Sequence, residues 1–198
     1  MVVDRAVCLT VPTITTVPGL TYVADYLPQI EQDELLSTVD SMQWRSDLKR
    51  RVQHYGYRYD YTKREVGQDS YLGPLPRWAK RLADRLYGDG LVAIEFNQLI
   101  VNEYLPGQGI SAHVDCVPCF AGTVVSVSLG SQCVMVMSDK DAKVDLLLQP
   151  GSLLIMQGDA RYRWRHGIPA RKSDLYNGER ISRGRRVSLT YREVLTEG

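Results

Sequence analysis

Histidine is scarce in this chain: its 198 residues hold three, His54, His113 and His166. Any metal site built on imidazole therefore draws on nearly the whole supply. Cysteine is scarce as well, with Cys8, Cys116, Cys119 and Cys133 in no disulfide framework. That spacing excludes the small cross-linked secreted class and predicts free, reduced thiols. No apolar run approaches the roughly 20 residues that a membrane helix needs, and Met1-Val2-Val3-Asp4-Arg5 carries no charged-then-apolar leader pattern. A cytoplasmic chain without a membrane partner is expected. Repeats, low-complexity tracts and Gly/Ser linkers are absent, and with 44% hydrophobic residues the chain is expected to form one domain, a monomer with a substantial core.

Net charge is also small, +1 at neutral pH, which excludes a protein coated in basic residues. The charge is unevenly laid, however. Residues 45–87 hold eleven Lys or Arg against five Asp or Glu, and residues 159–192 hold ten against three. If the two blocks share a face, they offer phosphate neutralisation, the sequence-independent part of nucleic-acid binding.

Helical spacing of Ile30, Leu35, Leu36 and Val39, with acids in the first turns, predicts a helix over Pro28 to Met42. A second runs from Pro76 to Tyr87, opened by proline and ended by Gly88. Beyond about residue 91 the pattern becomes short β-rich runs between turn residues. Strands are expected near Gln98–Tyr104, Thr123–Leu129, Cys133–Met137, Val144–Gln149, Ser152–Gln157, Tyr162–Trp164 and Arg186–Val194, and the polar stretch Ile168–Arg185 is expected to be a mobile surface loop. Helices first and antiparallel strands after predict an α+β domain: a double-stranded β-helix, or jelly roll, with the N-terminal helices packed on one sheet. Residues 1–97 would supply those helices and a lid, and residues 98–194 the catalytic core.

Against this background His113-Val114-Asp115, followed at a distance by His166, has the composition of a facial metal site. Two imidazoles and one carboxylate fill three adjoining coordination positions and leave three open, the arrangement used by non-haem Fe(II) oxygenases. On one strand, side chains two apart project to the same face, which places His113 and Asp115 together. Oxygen activation at such a site also needs a two-electron donor, and 2-oxoglutarate needs a cation deep in the barrel. The terminal strand Arg186-Val187-Ser188-Leu189-Thr190-Tyr191-Arg192 supplies it, because alternation puts Arg186, Ser188, Thr190 and Arg192 on one face.

Together with Asn102-Glu103-Tyr104 ahead of Pro106-Gly107, Val125 to Gly130, and Gly158-Asp159-Ala160-Arg161 running into His166-Gly167-Ile168, these motifs carry a resemblance from about Tyr22 to Val194. The chain resembles the AlkB-type Fe(II)/2-oxoglutarate-dependent dioxygenases, and within them the branch containing the oxygenase domain of the tRNA wobble-uridine hydroxylase. The resemblance implies that His113, Asp115 and His166 bind Fe(II), and that Asn102, Tyr104, Arg186, Ser188 and Arg192 bind the co-substrate 2-oxoglutarate, with O2 as oxidant. It implies no catalytic side chain beyond the metal site.

The expected partner is nucleic acid: single-stranded DNA, RNA or tRNA. A base must leave its stack to reach a buried metal, so the mouth needs aromatic walls and phosphate contacts. Arg50, Arg51, Tyr55, Tyr57 and Tyr59 fit, with alternating tyrosines continuing to Tyr61. In the resembled family this region forms a nucleotide-recognition lid. Well-studied repair members carry an acid two residues beyond the iron-binding aspartate; here that position is Val117. Oxidative demethylation of alkylated bases is the leading expectation, hydroxylation of a modified wobble uridine the second, and a non-catalytic metal-containing nucleic-acid-binding jelly roll the third.

Overall fold

Polar residues on one face of the last strand and apolar residues on the other require two different environments, and the fold provides both. The computed structural model describes residues 16–46, 49–140 and 142–195, which excludes Cys8 and the first residues. Six antiparallel strands form the larger sheet, in the order β1 (Leu20–Val23), β8 (Leu153–Met156), β5 (Phe120–Gly130), β12 (Arg186–Val194), β3 (Gln98–Tyr104) and β2 (Val52–Tyr55). Four more form a smaller sheet, β4 (Ile110–His113), β9 (Arg165–Ile168), β6 (Cys133–Asp139) and β7 (Ala142–Leu148). The two sheets face one another as a jelly roll. Two N-terminal segments join the large sheet as edge strands, outside any expected strand in the case of β1.

Helices α1 (Gln29–Ser41) and α2 (Arg77–Gly88) cover the outer face of the large sheet, within a residue of the expected limits. In α2, Ala79, Leu82, Ala83 and Leu86 recur at i, i+3, i+4 and i+7 and are all buried. They meet Val187, Leu189 and Tyr191 of β12, Val125, Val127 and Leu129 of β5, and Leu99 and Val101 of β3. The Tyr191 hydroxyl donates to the carbonyl of Ala79 at 3.1 Å. The other apolar cluster lies between the sheets, where Val124, Leu154 and Met156 meet Met135, Met137, Leu146, Leu148 and Ile168. Among the described residues no helix is long and apolar enough to cross a membrane.

Two expectations are corrected. The strand expected over Tyr162–Trp164 is instead the end of a short helix, α3 (Gly158–Tyr162), leading into β9. Gly158 takes φ +48°, turning the chain before Arg161 and Trp164 are both buried. Three residues of mixed aromatic and basic character do not define a period, and tertiary packing decides them.

The expected loop over Ile168–Arg185 contains a hairpin, β10 (Ser173–Tyr176) and β11 (Glu179–Ser182). Buried Asp174 ties its base down: it accepts from Arg183 Nε and Nη2, each at 2.6 Å, from Arg171 Nε at 2.6 Å and from the Val134 amide at 3.0 Å. Charges that read as solvated along the sequence are thus paired in the interior. Burial alone would raise the Asp174 pKa, but Arg183, the Val134 amide and Arg171 hold it below its ordinary value of 3.8. A depressed carboxyl pKa contributes stability above the unfolded value, so this contribution is complete above about pH 4 and is lost as pH falls further. Asp174→Ala should cost about 3–5 kcal/mol, since it strands a buried guanidinium. Thermal melting at pH 7 is expected to fall by about 10 °C, with a smaller wild-type-to-variant difference below pH 4.

Candidate metal centre

His113 ends β4, His166 lies on β9, and the two are direct partners across the strand pair. Their ring centroids are 4.4 Å apart. Asp115, two residues on, brings its carboxylate to the same point: one ligand atom from each of the three lies within 4.8 Å of the others. His113 Nδ1 is 2.8 Å from the carbonyl oxygen of Ser111. A carbonyl only accepts, so Nδ1 carries the proton and Nε2 keeps its lone pair for a ligand.

The carboxylate is asymmetric. Oδ1 accepts from Arg192 Nη2 at 2.8 Å. Oδ2 is fully buried with no hydrogen-bond partner and lies 3.7 Å from His166 Nε2. Burial would push the Asp115 pKa up, but Arg192 above all, with His166, His113 and Arg161, holds it well below the carboxylate range. Burial also pushes His166 down to about 4, against the opposing pull of Asp115, so the imidazole is neutral near pH 7. An ionised oxygen without a donor beside neutral imidazole nitrogens is a donor set for a divalent cation, and the residues fit Fe(II).

A second set of unsatisfied groups lines the inner face of the large sheet. In register, Arg186 faces Tyr104, Ser188 faces Asn102, Thr190 faces Ile100 and Arg192 faces Gln98. Arg186 is only 2% exposed; Nη2 donates to Ser128 Oγ at 2.8 Å, while Nε is buried without a partner. Its guanidinium stands 5.5 Å from the Tyr104 ring centroid, and no carboxylate pairs with it among the described residues. Arg192 likewise has Nε and Nη1 buried and unpartnered. Two buried cations with spare donors on one face suit a small dicarboxylate, and the residues fit 2-oxoglutarate. Asn102 Oδ1 accepts from Arg50 Nε at 3.0 Å, and Ser188 Oγ lies in a hydroxyl chain with Ser126 and Thr190 at 3.0 and 3.2 Å.

The expected lid residues divide. Arg50 lies inward, its guanidinium 5.7 Å from the ring centroids of both Tyr61 and Tyr104. Tyr57 and Tyr59 pack on Cys119 and Phe120, just beyond Asp115. Arg51 and Tyr55 lie on the opposite face. Register pairs Val52 with Asn102 and Tyr55 with Leu99, so odd-numbered residues of β2 point to the helices. Arg51 binds Glu103 through Nε and Nη2 at 2.6 and 2.7 Å, and Tyr55 packs edge-on to Trp78. Alternation of the tyrosines onto one face fails because the strand stops at Gly56, where φ is +77°. A Cβ there would collide with the backbone of Asn97.

Two residues outside the expected set belong to this mouth. Tyr61, the last alternating tyrosine, has its hydroxyl pKa raised by burial beside Arg50 and Arg192. His54, on the inner face of β2, accepts from the Tyr59 amide at 3.4 Å and meets Tyr61 edge-on. The spacing of the tyrosines carried a signal for Tyr61, and His54 could be read from the sequence either as a stacking or phosphate-contacting residue or as a structural histidine. Cys116 and Cys119, expected as free thiols, are joined in a disulfide, while Cys133 is free and buried. The three-residue separation allows the turn that brings their sulfurs together.

Comparison with known proteins gives the same picture. The model of the 2OG-Fe(II) oxygenase superfamily matches residues 19–192. The chain is 36% identical over 203 residues to the "Alkylated DNA repair protein ALKBH8 homolog" of Arabidopsis thaliana, covering 90% of this chain and 59% of that protein. It is 34% identical over 202 residues to the "tRNA (carboxymethyluridine(34)-5-O)-methyltransferase ALKBH8" of Mus musculus, covering 89% of this chain and 30% of that one. The chain thus spans less than two thirds of either relative. The solved structure of OsALKBH1 superposes with a TM-score of 0.66 at 19% identity, covering 89% of this chain and 97% of that one, which establishes a shared fold.

Proposed function

The chain belongs to the 2OG-Fe(II) oxygenase superfamily as an AlkB-type dioxygenase, and from that premise we propose that it hydroxylates a C–H bond on a modified base of nucleic acid. Fe(II), O2 and 2-oxoglutarate supply the oxidation when bound, one oxygen atom going to the substrate carbon and the other to succinate as carbon dioxide is released. His113 through Nε2, His166 through Nε2 and Asp115 through Oδ2 would hold the metal. Arg186, with Tyr104 beside it, would take the distal carboxylate, while Arg192 keeps Asp115 oriented through Oδ1 and, with Asn102, would turn its remaining donors to the metal-proximal end. Burial of Asp115 and His166 excludes water from this side.

The observation that carries the substrate reading is the grouping of Arg50, Tyr59 and Tyr61 beside Tyr104, Phe120 and Arg192, the last of which holds the metal-ligand carboxylate of Asp115. Aromatic faces take an unstacked base at about 1–3 kcal/mol each, and Arg50 offers a cation to its backbone or substituent. On an N-methyl group the product would collapse to formaldehyde and free base. On a uridine side chain the hydroxyl would stay. Val117, 47% exposed at the position where repair members have an acid, supports the second outcome, because an apolar rim favours a neutral base over a cationic methylated one. The name of the mouse relative points the same way, towards a tRNA position-34 uridine.

Incubation of tRNA with the protein, Fe(II) and 2-oxoglutarate, followed by nucleoside mass spectrometry, tests this reading. A gain of one oxygen on a uridine derivative, without formaldehyde, is expected. Formaldehyde from methylated single-stranded DNA or RNA, with no change in tRNA, would assign demethylation instead.

A further inference from the structure

We propose that Arg161 is the positioning residue of the metal-ligand loop, holding the backbone of Asp115 through a cage of carbonyl oxygens; the proposal rests on the metal reading above. Arg161 lies on α3 and is 2% exposed. Its guanidinium donates from Nη1 to the carbonyl of Asp115 at 3.0 Å, from Nη2 to those of Cys116 and Phe120, each at 3.2 Å, and from Nε to that of Ala121 at 3.2 Å. All four acceptors belong to residues 115–121, and no acidic side chain pairs with Arg161 among the described residues. Arg163, two residues on, shows the contrast: it is exposed and paired with Asp139 and Asp159, as a surface arginine is expected to be.

Burying a guanidinium costs several kcal/mol, and Arg161 feels the Asp115 charge without a direct ion pair, so its N–H donors must be satisfied otherwise. Here they are spent on the loop that begins at a metal ligand. The loop turns sharply, with the amides of Cys119 and Phe120 both donating to the carbonyl of Cys116 at 3.3 Å, and the Cys116–Cys119 disulfide closes it. Four carbonyl dipoles converging on one point repel one another unless a cation sits between them. Because the Asp115 carbonyl is among the four, its peptide plane cannot rotate while Arg161 is in place. That fixes the direction in which the Asp115 side chain leaves the backbone, towards His113 and His166. A planar fork with five donors can bridge this set; an ammonium group with three donors at a single point cannot.

The test compares wild type, Arg161→Lys and Arg161→Ala, prepared free of metal and titrated with Mn(II) by calorimetry, with circular dichroism and thermal melting of each. Both variants are expected to fold and to bind Mn(II) about 10- to 100-fold more weakly, the cost typical of losing a group that orients a ligand. Low concentrations of guanidinium, but not of methylammonium, should recover part of the loss in Arg161→Ala. Wild-type Mn(II) affinity in both variants, whatever their melting temperatures, would overturn the proposal. Failure of both to fold would overturn it too, by assigning Arg161 to the fold rather than to the ligand. Absence of Mn(II) binding by the wild type would instead reject the metal reading beneath it.

Discussion

Replacing His166 by alanine is expected to abolish 2-oxoglutarate-dependent turnover, with succinate formation falling more than about 100-fold, because loss of a metal ligand should exceed the 10- to 100-fold typical of its supporting partners. The reason is geometric. His166 pairs directly with His113 across β9 and β4, and its Nε2 faces the unsatisfied Asp115 Oδ2. Without it only two ligands remain. The fold should survive, since His166 forms no hydrogen bond through its buried Nδ1 and sits at the inner surface rather than in an apolar cluster. Turnover is read as succinate per enzyme under saturating Fe(II). Wild-type turnover in a folded variant would remove His166 from the metal site.

The next largest effect is expected at Arg186. Its replacement by methionine keeps the length of the side chain and its packing on Tyr104 but removes the cation. Truncating one partner of a buried charge pair costs about 2–5 kcal/mol, so the KM for 2-oxoglutarate should rise roughly 30-fold to several thousand-fold. Metal affinity should stay near wild type, because Arg186 faces Tyr104 at the far end of β12 from Arg192, which touches Asp115. The free variant should fold at least as well as wild type: an unpaired buried cation is replaced by an apolar chain. A change in metal affinity with unaltered KM would contradict the assignment of the two arginines to opposite ends of the co-substrate.

Why were these residues legible in the sequence? Period-two alternation in a strand fully buried on both faces separates Arg186, Ser188, Thr190 and Arg192 from Val187, Leu189 and Tyr191, and the structure preserves that division. The same holds for α2, where Pro76 and the Ala79–Leu86 spacing set both the start and the buried face. His113 and Asp115 stand close in sequence, so their meeting needs only local geometry. His166 joins them through the pairing of β4 with β9, which no local pattern specifies.

The lid was legible only in part, because its direction depends on where one strand ends. Arg50 and Tyr61 face inward while Arg51 and Tyr55 face the helices, and the division follows from the register of β2 on β3 and from the turn at Gly56. A register is a tertiary fact. Arg171 and Arg183 read as solvent charge for a similar reason: their partner Asp174 is nearby in sequence, but its burial against Val134 is not. Arg161 was visible as part of a motif, whereas its carbonyl acceptors, some forty residues earlier, were not.

The metal assignment is tested by anomalous diffraction at the iron edge from crystals grown without oxygen in the presence of Fe(II) and 2-oxoglutarate. A single strong peak bonded to His113 Nε2, Asp115 Oδ2 and His166 Nε2 is expected, with the 2-oxoglutarate distal carboxylate on Arg186. Iron bound elsewhere, or a dicarboxylate that leaves Arg186 without a partner, would contradict it.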